Sequence, residues 1–477
     1  MGCGISGSKK FMLSPSTELN ISRSHFVKQT TGSVHLKYEM VSEVGSGAFA
    51  KVHEAVQRET GAHRAIKVLP KLNLTDEDKA RFINEFELLR RTDHPNIVTL
   101  YEYYEDNHNF YLVQEMCSGG ELLTIILNRQ QGFSEVRAAF YIKQVLSAVC
   151  HCHSLNIVHR DLKPDNLLLE NKHPSSMLKV IDFGISCLKS TRHKLTQRTG
   201  TIQYMAPEIF KNSYNEKCDI WSCGVILFIL LSGKMPFGGS TDREIIQAIT
   251  RGKYTMIGPE WTSITEEAKT LVKKMLQVDP LKRPSAEECF NDPWIRTCEE
   301  RLKPESLSKA IENLRAFKAG TKLKRAVLTY MVSQLIPQTE RQDLNRVFMS
   351  LDTSGDGRLN AEELQAGFQR LGFNLTKNEA EEILKNIDTD NNGFIDYSEF
   401  IMAAMPKEQL LSKERIIAAF NSFDTDGNGK ISQVELRTIL ELNCDLLLQE
   451  LLNEVDENGD GEIDLEEFSA MLLEQSC

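Results

Sequence analysis

Lys67, Asp161, Asn166 and Asp182 stand in settings that would let one chain hold a nucleoside triphosphate with magnesium and move a phosphoryl group. Asp161 lies in His159-Arg160-Asp161-Leu162-Lys163-Pro164-Asp165-Asn166. Asp182-Phe183-Gly184 and Ala206-Pro207-Glu208 follow in order. A carboxylate at 161 can accept or orient the proton of an attacking hydroxyl. Lys163 can stabilise charge on the phosphoryl group in flight, and Asn166 with Asp182 can hold the magnesium ions. Upstream, Val44-Gly45-Ser46-Gly47-Ala48-Phe49-Ala50-Lys51-Val52 reads as a phosphate loop. Its glycines let the backbone approach phosphates and aim N–H groups at them. Ala50 stands where a third glycine is expected, so this loop alone is a weak signal. Ala65-Ile66-Lys67 then supplies a strand lysine for the α- and β-phosphates. Its carboxylate partner should come from the next helix, where Asn84-Glu85-Phe86-Glu87 offers two; the distance to His94-Pro95-Asn96-Ile97 favours Glu85.

A second chemistry occupies the last third of the chain. Four twelve-residue loops begin at Asp352, Asp388, Asp424 and Asp456, end at Glu363, Glu399, Glu435 and Glu467, and carry Gly357, Gly393, Gly429 and Gly461 sixth. Calcium takes six or more oxygens, the last glutamate supplying two, and the glycine makes the sharp turn. The first loop presents Asp352, Ser354, Asp356, the Arg358 carbonyl, Asn360 and Glu363. The second presents Asp388, Asp390, Asn392, the Phe394 carbonyl, Asp396 and Glu399. The third has Asp424, Asp426, Asn428, the Lys430 carbonyl, Ser432 and Glu435; the fourth has Asp456, Asn458, Asp460, the Glu462 carbonyl, Asp464 and Glu467. Leu359, Ile395, Ile431 and Ile463, at position eight, suit short strands that pair the loops. Loops two and four have four acidic ligands each and loops one and three have three, which predicts weaker binding in the latter.

The elements needed to position these groups follow from length and pattern. A chain of 477 residues needs two or more cores. The net charge of −11 divides into about −19 on residues 340–477 and about +8 on the rest. Such a balance fits a cation-binding module beside a phosphate-handling one and excludes a nucleic-acid footprint. Eleven cysteines without a secretory signal point to free thiols in a reducing compartment. Cys150-His151-Cys152-His153 lacks the distant second pair a zinc site needs and reads as a buried helix end. The longest apolar run, Cys223 to Leu231, is far short of the roughly 20 residues that cross a bilayer and reads as a buried core helix.

Between the two modules, Leu323, Val327, Tyr330, Met331 and Leu335 share one helical face within residues 313–336. Arg315, Lys318, Lys322, Lys324 and Arg325 crowd its first half. A basic amphipathic helix is what a calcium-loaded helix pair captures. At the other end, Met1-Gly2-Cys3-Gly4-Ile5-Ser6 matches the pattern for myristoylation of Gly2. Cys3 would add the second acyl chain that stable anchoring requires, and Lys9 and Lys10 attraction to anionic lipid. Residues 7–36, rich in Ser and Thr, are expected to be a flexible tether.

Residues 38–295, with their His-Arg-Asp, Asp-Phe-Gly and Ala-Pro-Glu motifs, resemble a Ser/Thr protein kinase, Lys163 favouring Ser/Thr over Tyr. With the basic junction and four calcium loops in that order, nearly the whole chain resembles a calcium-dependent protein kinase of the plant and protist type. The resemblance implies an α+β chain: a bilobal protein kinase fold (38–295) after an acylated leader (1–37), then an autoinhibitory junction helix (296–337) and an all-α, calmodulin-like tandem EF-hand module (338–477). ATP, Mg2+ and Ca2+ are the implied cofactors. The implied partners are proteins bearing Ser or Thr, with an upstream Arg or Lys, and a membrane surface. A monomer on the cytosolic face is expected. Gln114 would gate a pocket behind adenine, Glu115 and Cys117 would border the base in the hinge, and Glu121 would read a basic residue three before the acceptor. Arg283 would pair with Glu208. Gln197 stands four before Thr201, where many kinases carry an activating phosphothreonine, so Arg160 lacks that partner; Thr196 and Thr199 are nearby. A calcium-regulated scaffold and a calcium buffer are the alternatives; the intact catalytic set argues against the first, and four loops tied covalently to an enzyme argue against the second.

Overall fold

The computed structural model describes residues 21–46, 50–72, 74–129, 131–173, 175–189, 195–298, 304–318, 320–370, 372–442 and 444–473. Gly2 and Cys3, with Lys9 and Lys10, and Gly47, Ala48 and Phe49 of the phosphate loop lie outside the described residues.

The small lobe is a six-stranded sheet of β1 (Gln29–Thr31), β2 (Tyr38–Ser46), β3 (Lys51–Gln57), β4 (His63–Pro70), β5 (Leu100–Glu105) and β6 (Asn109–Glu115), in the order β1-β5-β6-β4-β3-β2. Helix α1 (Asp76–Arg91) joins β4 to β5. Thr75 caps it by accepting from the Asp78 N–H, three acids occupy its first turn and two arginines its last, all favourable to the helix dipole. Its inner face buries Phe82, Phe86, Leu88 and Leu89, and Glu85 with them.

The large lobe is helical. Its central helix, Lys217–Ser232, is buried at every position from Cys218 on, which is how a uniformly apolar run behaves inside a core. The 223–231 stretch is therefore interior, and among the described residues no helix is long and apolar enough to cross a membrane. Arg283 makes two bonds to Glu208, at 2.6 and 3.0 Å, with the guanidinium fully buried. The Cys150–His153 run is the last turn of the Glu135–Ser154 helix.

In the C-terminal module the position-eight residues pair as expected: Leu359 faces Ile395 and Ile431 faces Ile463 in two short antiparallel ladders. The junction departs from a single helix. It forms Pro304–Ala316, then Lys322–Tyr330, which runs into a π-helical turn, Met331–Leu335. Gly320 adopts φ +67 and Thr321 caps the second helix by accepting from the Lys324 N–H, so the chain restarts there. Leu323, Val327 and Met331 are fully buried in the module's own core.

The tether expectation fails over residues 21–36. They form a 3₁₀ turn (Arg23–Phe26), the parallel edge strand β1 on β5, and a second turn (Val34–Leu36). Ser and Thr content hid the buried Ile21, Phe26, Val27 and Val34.

The module packs against the kinase lobes. His151 Nδ1 lies 2.7 Å from the Asp356 carbonyl, the Ser398 N–H donates to Asp93 at 2.8 Å, and Arg346 reaches Ser175 at 2.9 Å. From the small lobe, Arg64 donates to the Gln334 carbonyl at 3.0 Å.

Candidate active site and calcium centres

Lys67 rises from β4, whose register sets it opposite Val52 of β3 and Leu112 of β6. Its Nζ lies 2.9 and 2.6 Å from the two oxygens of Glu85 and 3.3 Å from Asp182 Oδ1. Glu85, rather than Glu87, is thus the partner. Burial alone would depress the Lys67 ammonium, but Glu85 and Asp182 outweigh it and raise its pKa. The same ammonium holds the Asp182 carboxyl below its usual value.

Asp161 is held from three sides. Its Oδ1 accepts from the Thr201 N–H and hydroxyl at 3.0 and 2.9 Å, its Oδ2 lies 3.1 Å from Lys163 Nζ, and Asn166 Nδ2 donates to its carbonyl at 2.8 Å. Lys163 also donates to Thr201 at 2.9 Å. The loop is bent to do this: Arg160 sits at φ +70 and Asp182 at φ +63. Such conformations persist only where the surroundings over-determine them. At Arg160 this is done by Asp219, which accepts from the His159 and Arg160 N–H groups at 2.9 Å each and from His153 at 2.9 Å and is itself fully buried. The sequence reading missed Asp219; the signal was a carboxylate leading the most apolar helix.

The hinge residues are placed unequally. Gln114 is buried on β6 opposite Ala65. The Glu115 side chain faces inward, accepting from the Thr99 N–H at 3.0 Å and pairing with Lys179 at 2.8 Å, which leaves its backbone for any contact with adenine. Cys117 is half-buried with a free thiol. Glu121 is exposed in a two-residue strand opposite Leu168, on the segment that leaves Asn166. Val44, Gly45 and Ser46 end β2, and at the far side of the loop Ala50 precedes β3, which Lys51 and Val52 open. In the activation segment, the Tyr214 hydroxyl donates to the Gln197 carbonyl at 2.7 Å and lies 3.3 Å from Arg160 Nη1. A neutral tyrosine thus bridges the arginine to the segment where a phosphate is absent from the sequence.

Every calcium loop is wound on its first aspartate. Asp352, Asp388, Asp424 and Asp456 each accept at Oδ2 from the N–H of the sixth-position glycine, at 2.9, 2.9, 2.8 and 2.8 Å. Those glycines have φ between +78 and +86, a region costly to other residues. Glu363, Glu399, Glu435 and Glu467 bond backbone N–H groups at both ends of their loops, which turns each carboxylate inward. Carboxylate oxygens of Asp388, Asp390 and Glu399 lie within 4.8 Å of one another, and so do those of Asp424, Asp426 and Glu435. Loops one and four carry Ser354 and Asn458 at position three instead. Burial lifts Asp352 and Asp396 to about 7 and Glu399 well above its usual value, neighbouring carboxylates adding to the effect for Asp352 and Glu399. Crowded acids of this kind fit a divalent cation, whose charge favours their ionised form. The position-seven carbonyls of Arg358 and Lys430 open one strand of each ladder, and those of Phe394 and Glu462 directly precede the other. Two cations went unread: Arg358 pairs with Asp396 at 3.0 Å, and Lys430 pairs with Asp460 and lies 3.7 Å from Glu462.

The bilobal fold and its Lys67–Glu85–Asp182 cluster define a protein kinase carrying two EF-hand pairs. The protein kinase domain family matches residues 38–295, and the EF-hand domain pair family matches 341–405 and 413–473. The chain is 41% identical over 467 residues to calcium-dependent protein kinase 4 of Plasmodium berghei (strain Anka), covering 94% of this chain and 88% of that one. It is 40% identical over 485 residues to calcium-dependent protein kinase 4 of Plasmodium falciparum (isolate 3D7), covering 98% and 92%. Calcium-dependent protein kinase 33 of Arabidopsis thaliana is 37% identical over 444 residues, covering 92% and 85%. The chain belongs to the calcium-dependent protein kinases. It is a calcium-activated Ser/Thr kinase, using ATP with Mg2+ in the kinase domain and Ca2+ in the EF-hands.

Proposed function

We propose that the junction and the calcium-free module hold the kinase domain inactive, and that calcium releases it by letting the module capture the junction. The carrying observation is that the junction's apolar face is buried in the module while Lys67 and Glu85 stand paired at 2.6 Å. Within residues 322–336, Lys322 pairs with Glu450, Tyr330 packs between Phe26 and Phe423 and senses the charge of Lys37, and Gln334 bonds Phe26 and Arg64, all away from Asp161 and Lys163. This arrangement is the active one in our reading.

In the catalytic step Asp161 orients the substrate hydroxyl, and its bonds from Thr201 and Lys163 hold it at the ready angle. Lys163 faces the transferring phosphoryl group, Lys67 fixes the α/β-phosphates with Glu85 behind it, and Asn166 and Asp182 hold magnesium. Glycine-loop residues 44–52 cover the phosphates, while the Glu115–Cys117 backbone receives adenine. Glu121 selects proteins with a basic residue three before the acceptor. The EF-hand ligands are those named above in each loop. Gly2 and Cys3 take acyl chains that hold a monomer on the cytosolic face of a membrane; Gly2→Ala and Cys3→Ser should each move protein from membrane to soluble fractions, and unchanged fractionation of both would exclude the anchor.

The test of regulation is phosphotransfer to an Arg-containing Ser peptide across a calcium titration. The full chain is compared with one in which Glu363, Glu399, Glu435 and Glu467 are all changed to Gln. Calcium should activate the first and leave the second at basal rate. An equal response in both would overturn the proposal.

A further inference from the structure

Arg23 lies in a stretch that carries no catalytic motif, yet it is 6% exposed. Its Nη1 donates to the Thr92 carbonyl at 2.6 Å and its Nη2 to the Leu100 carbonyl at 2.5 Å. Thr92 caps the C-terminal end of α1, the helix that carries Glu85, and Leu100 opens β5. One guanidinium therefore clips the end of α1 to the sheet. Arg90, in the last turn of α1, bonds back to the Ser24 carbonyl at 3.0 Å. A buried guanidinium is costly unless its donors are met, and burial lowers the pKa of Arg23 even so. The seat is worth occupying only when both carbonyls are in place.

The flanks of Arg23 belong to the other module. Ile21 and Phe26 are part of the core formed by the junction and the EF-hands, whereas Val27 belongs to the kinase core. The Phe26 ring meets Tyr330 edge-on at 5.4 Å, and Tyr330 meets Phe423 at 5.4 Å. The Phe26 carbonyl accepts from Gln334 at 3.4 Å, and the Ile21 carbonyl accepts from the Thr389 hydroxyl at 3.3 Å. Thr389 is the second residue of calcium loop two. Its N–H donates to Glu399 Oε1, the last ligand of that loop, at 2.7 Å, and its single hydroxyl proton is shared between that oxygen, also at 2.7 Å, and the Ile21 carbonyl. A continuous set of bonds thus runs from a calcium ligand to the helix that bears Glu85.

We propose that residues 21–36 are a strap: the captured junction and loop two hold Ile21 and Phe26, and this seats Arg23 against α1, making Arg23 a positioning residue for the Lys67–Glu85 pair. Without the docked module, Ile21 and Phe26 lose their apolar cover and the seat loses its brace. The two sites are then coupled through one two-state element. The proposal rests on the docked arrangement being the active one, as read above.

The test uses the full chain. Arg23→Ala should lower kcat at saturating calcium by about tenfold and raise the KM for ATP severalfold. Arg23→Lys should recover part of the rate, since an ammonium can reach one carbonyl but not span two. Phe26→Ala, which removes apolar contact with the junction and the EF-hand core and touches no catalytic group, should leave the maximal rate near wild type and raise the half-activating calcium about threefold. It carries the test if Arg23→Ala fails to fold by circular dichroism. A calcium-activated wild type with unaltered kcat and KM in Arg23→Ala, or an unaltered calcium midpoint in Phe26→Ala, overturns the strap alone. A wild type indifferent to calcium overturns the underlying reading and the strap with it.

Discussion

His151 of the kinase domain holds the Asp356 carbonyl of the first calcium loop at 2.7 Å, while its Nε2 receives the Asp93 N–H at 3.4 Å. The imidazole is neutral, its pKa pushed down to about 4 chiefly by burial, so Nδ1 donates and Nε2 accepts. Its ring lies 5.1 Å from that of His94. A β-carbon on Gly357 would fall 2.5 Å from His94 and 2.6 Å from His151, so this glycine is required for close approach as well as for its φ of +78.

His151→Ala should therefore weaken docking of the module without touching any catalytic group. A buried hydrogen bond is worth about 1 kcal/mol net, which corresponds to about a fivefold rise in the calcium needed for half-maximal phosphotransfer. Gly357→Ala should do more, since it strains the loop and pushes on two rings. Calcium titrations of peptide phosphorylation read both; a midpoint equal to wild type for His151→Ala would remove this contact from the coupling.

Asp161→Asn should abolish phosphotransfer and leave calcium binding by calorimetry intact, because among the described residues Asp161 bonds Thr201, Lys163, Asn166 and His159, all within the kinase domain. Lys67→Met should inactivate as well and leaves Glu85 buried without its cation, so a lower melting temperature is expected beside the lost activity. Near-normal turnover in either variant would mean that another group does this work.

Placement was most legible in the sequence where chemistry demands fixed spacing. Motif residues 159–166 and 182–184, and the twelve-residue loops, each impose their own local geometry, so their positions predict their neighbours. The Leu323–Leu335 stripe was also legible, because burial follows helical period. What failed depends on distant partners. Arg23 needs Thr92 and Leu100, His151 needs Asp356, and Asp219 needs two N–H groups 59 and 60 residues away. Nothing local marks a Ser-rich leader as the edge of a sheet. Position-seven side chains escaped notice because only their carbonyls count as ligands.

Glu170 offers a pH test. It is 5% exposed, neither carboxylate oxygen has a hydrogen-bond partner among the described residues, and burial raises its pKa to about 7 against the pull of Lys179 and Arg341, with Glu115 adding to the rise. The folded state thus binds this proton more tightly than the unfolded chain does. Its contribution is fully present below about pH 4.5 and is lost as pH rises through about 7. Glu170→Gln should abolish that loss, so its stability advantage over wild type should grow from pH 5 to 7 and level off above, to on the order of 3 kcal/mol. Thermal melts at several pH values measure it; parallel curves for the two proteins would place the titration elsewhere.

The last prediction concerns which calcium loops dominate. Counting acids favours loops two and four, but the structure pairs one acid of each with a cation from its neighbour, Asp396 with Arg358 and Asp460 with Lys430. The surplus charge of those loops is therefore partly spoken for. Glu399→Gln should still raise the calcium requirement more than Glu363→Gln, because Glu399 closes a three-carboxylate cluster and also orders Thr389 beneath Ile21. Lys430→Gln should act in the opposite direction. Its backbone carbonyl remains as a ligand, while the ammonium that competes for Asp460 and Glu462 is gone, so the C-terminal pair should bind calcium about threefold more tightly. The gain should shrink at high salt, which screens an exposed pair. Calorimetry on the full chain at two ionic strengths would read this directly, and weaker binding in Lys430→Gln would show that the lysine supports the loop rather than competing with the ion.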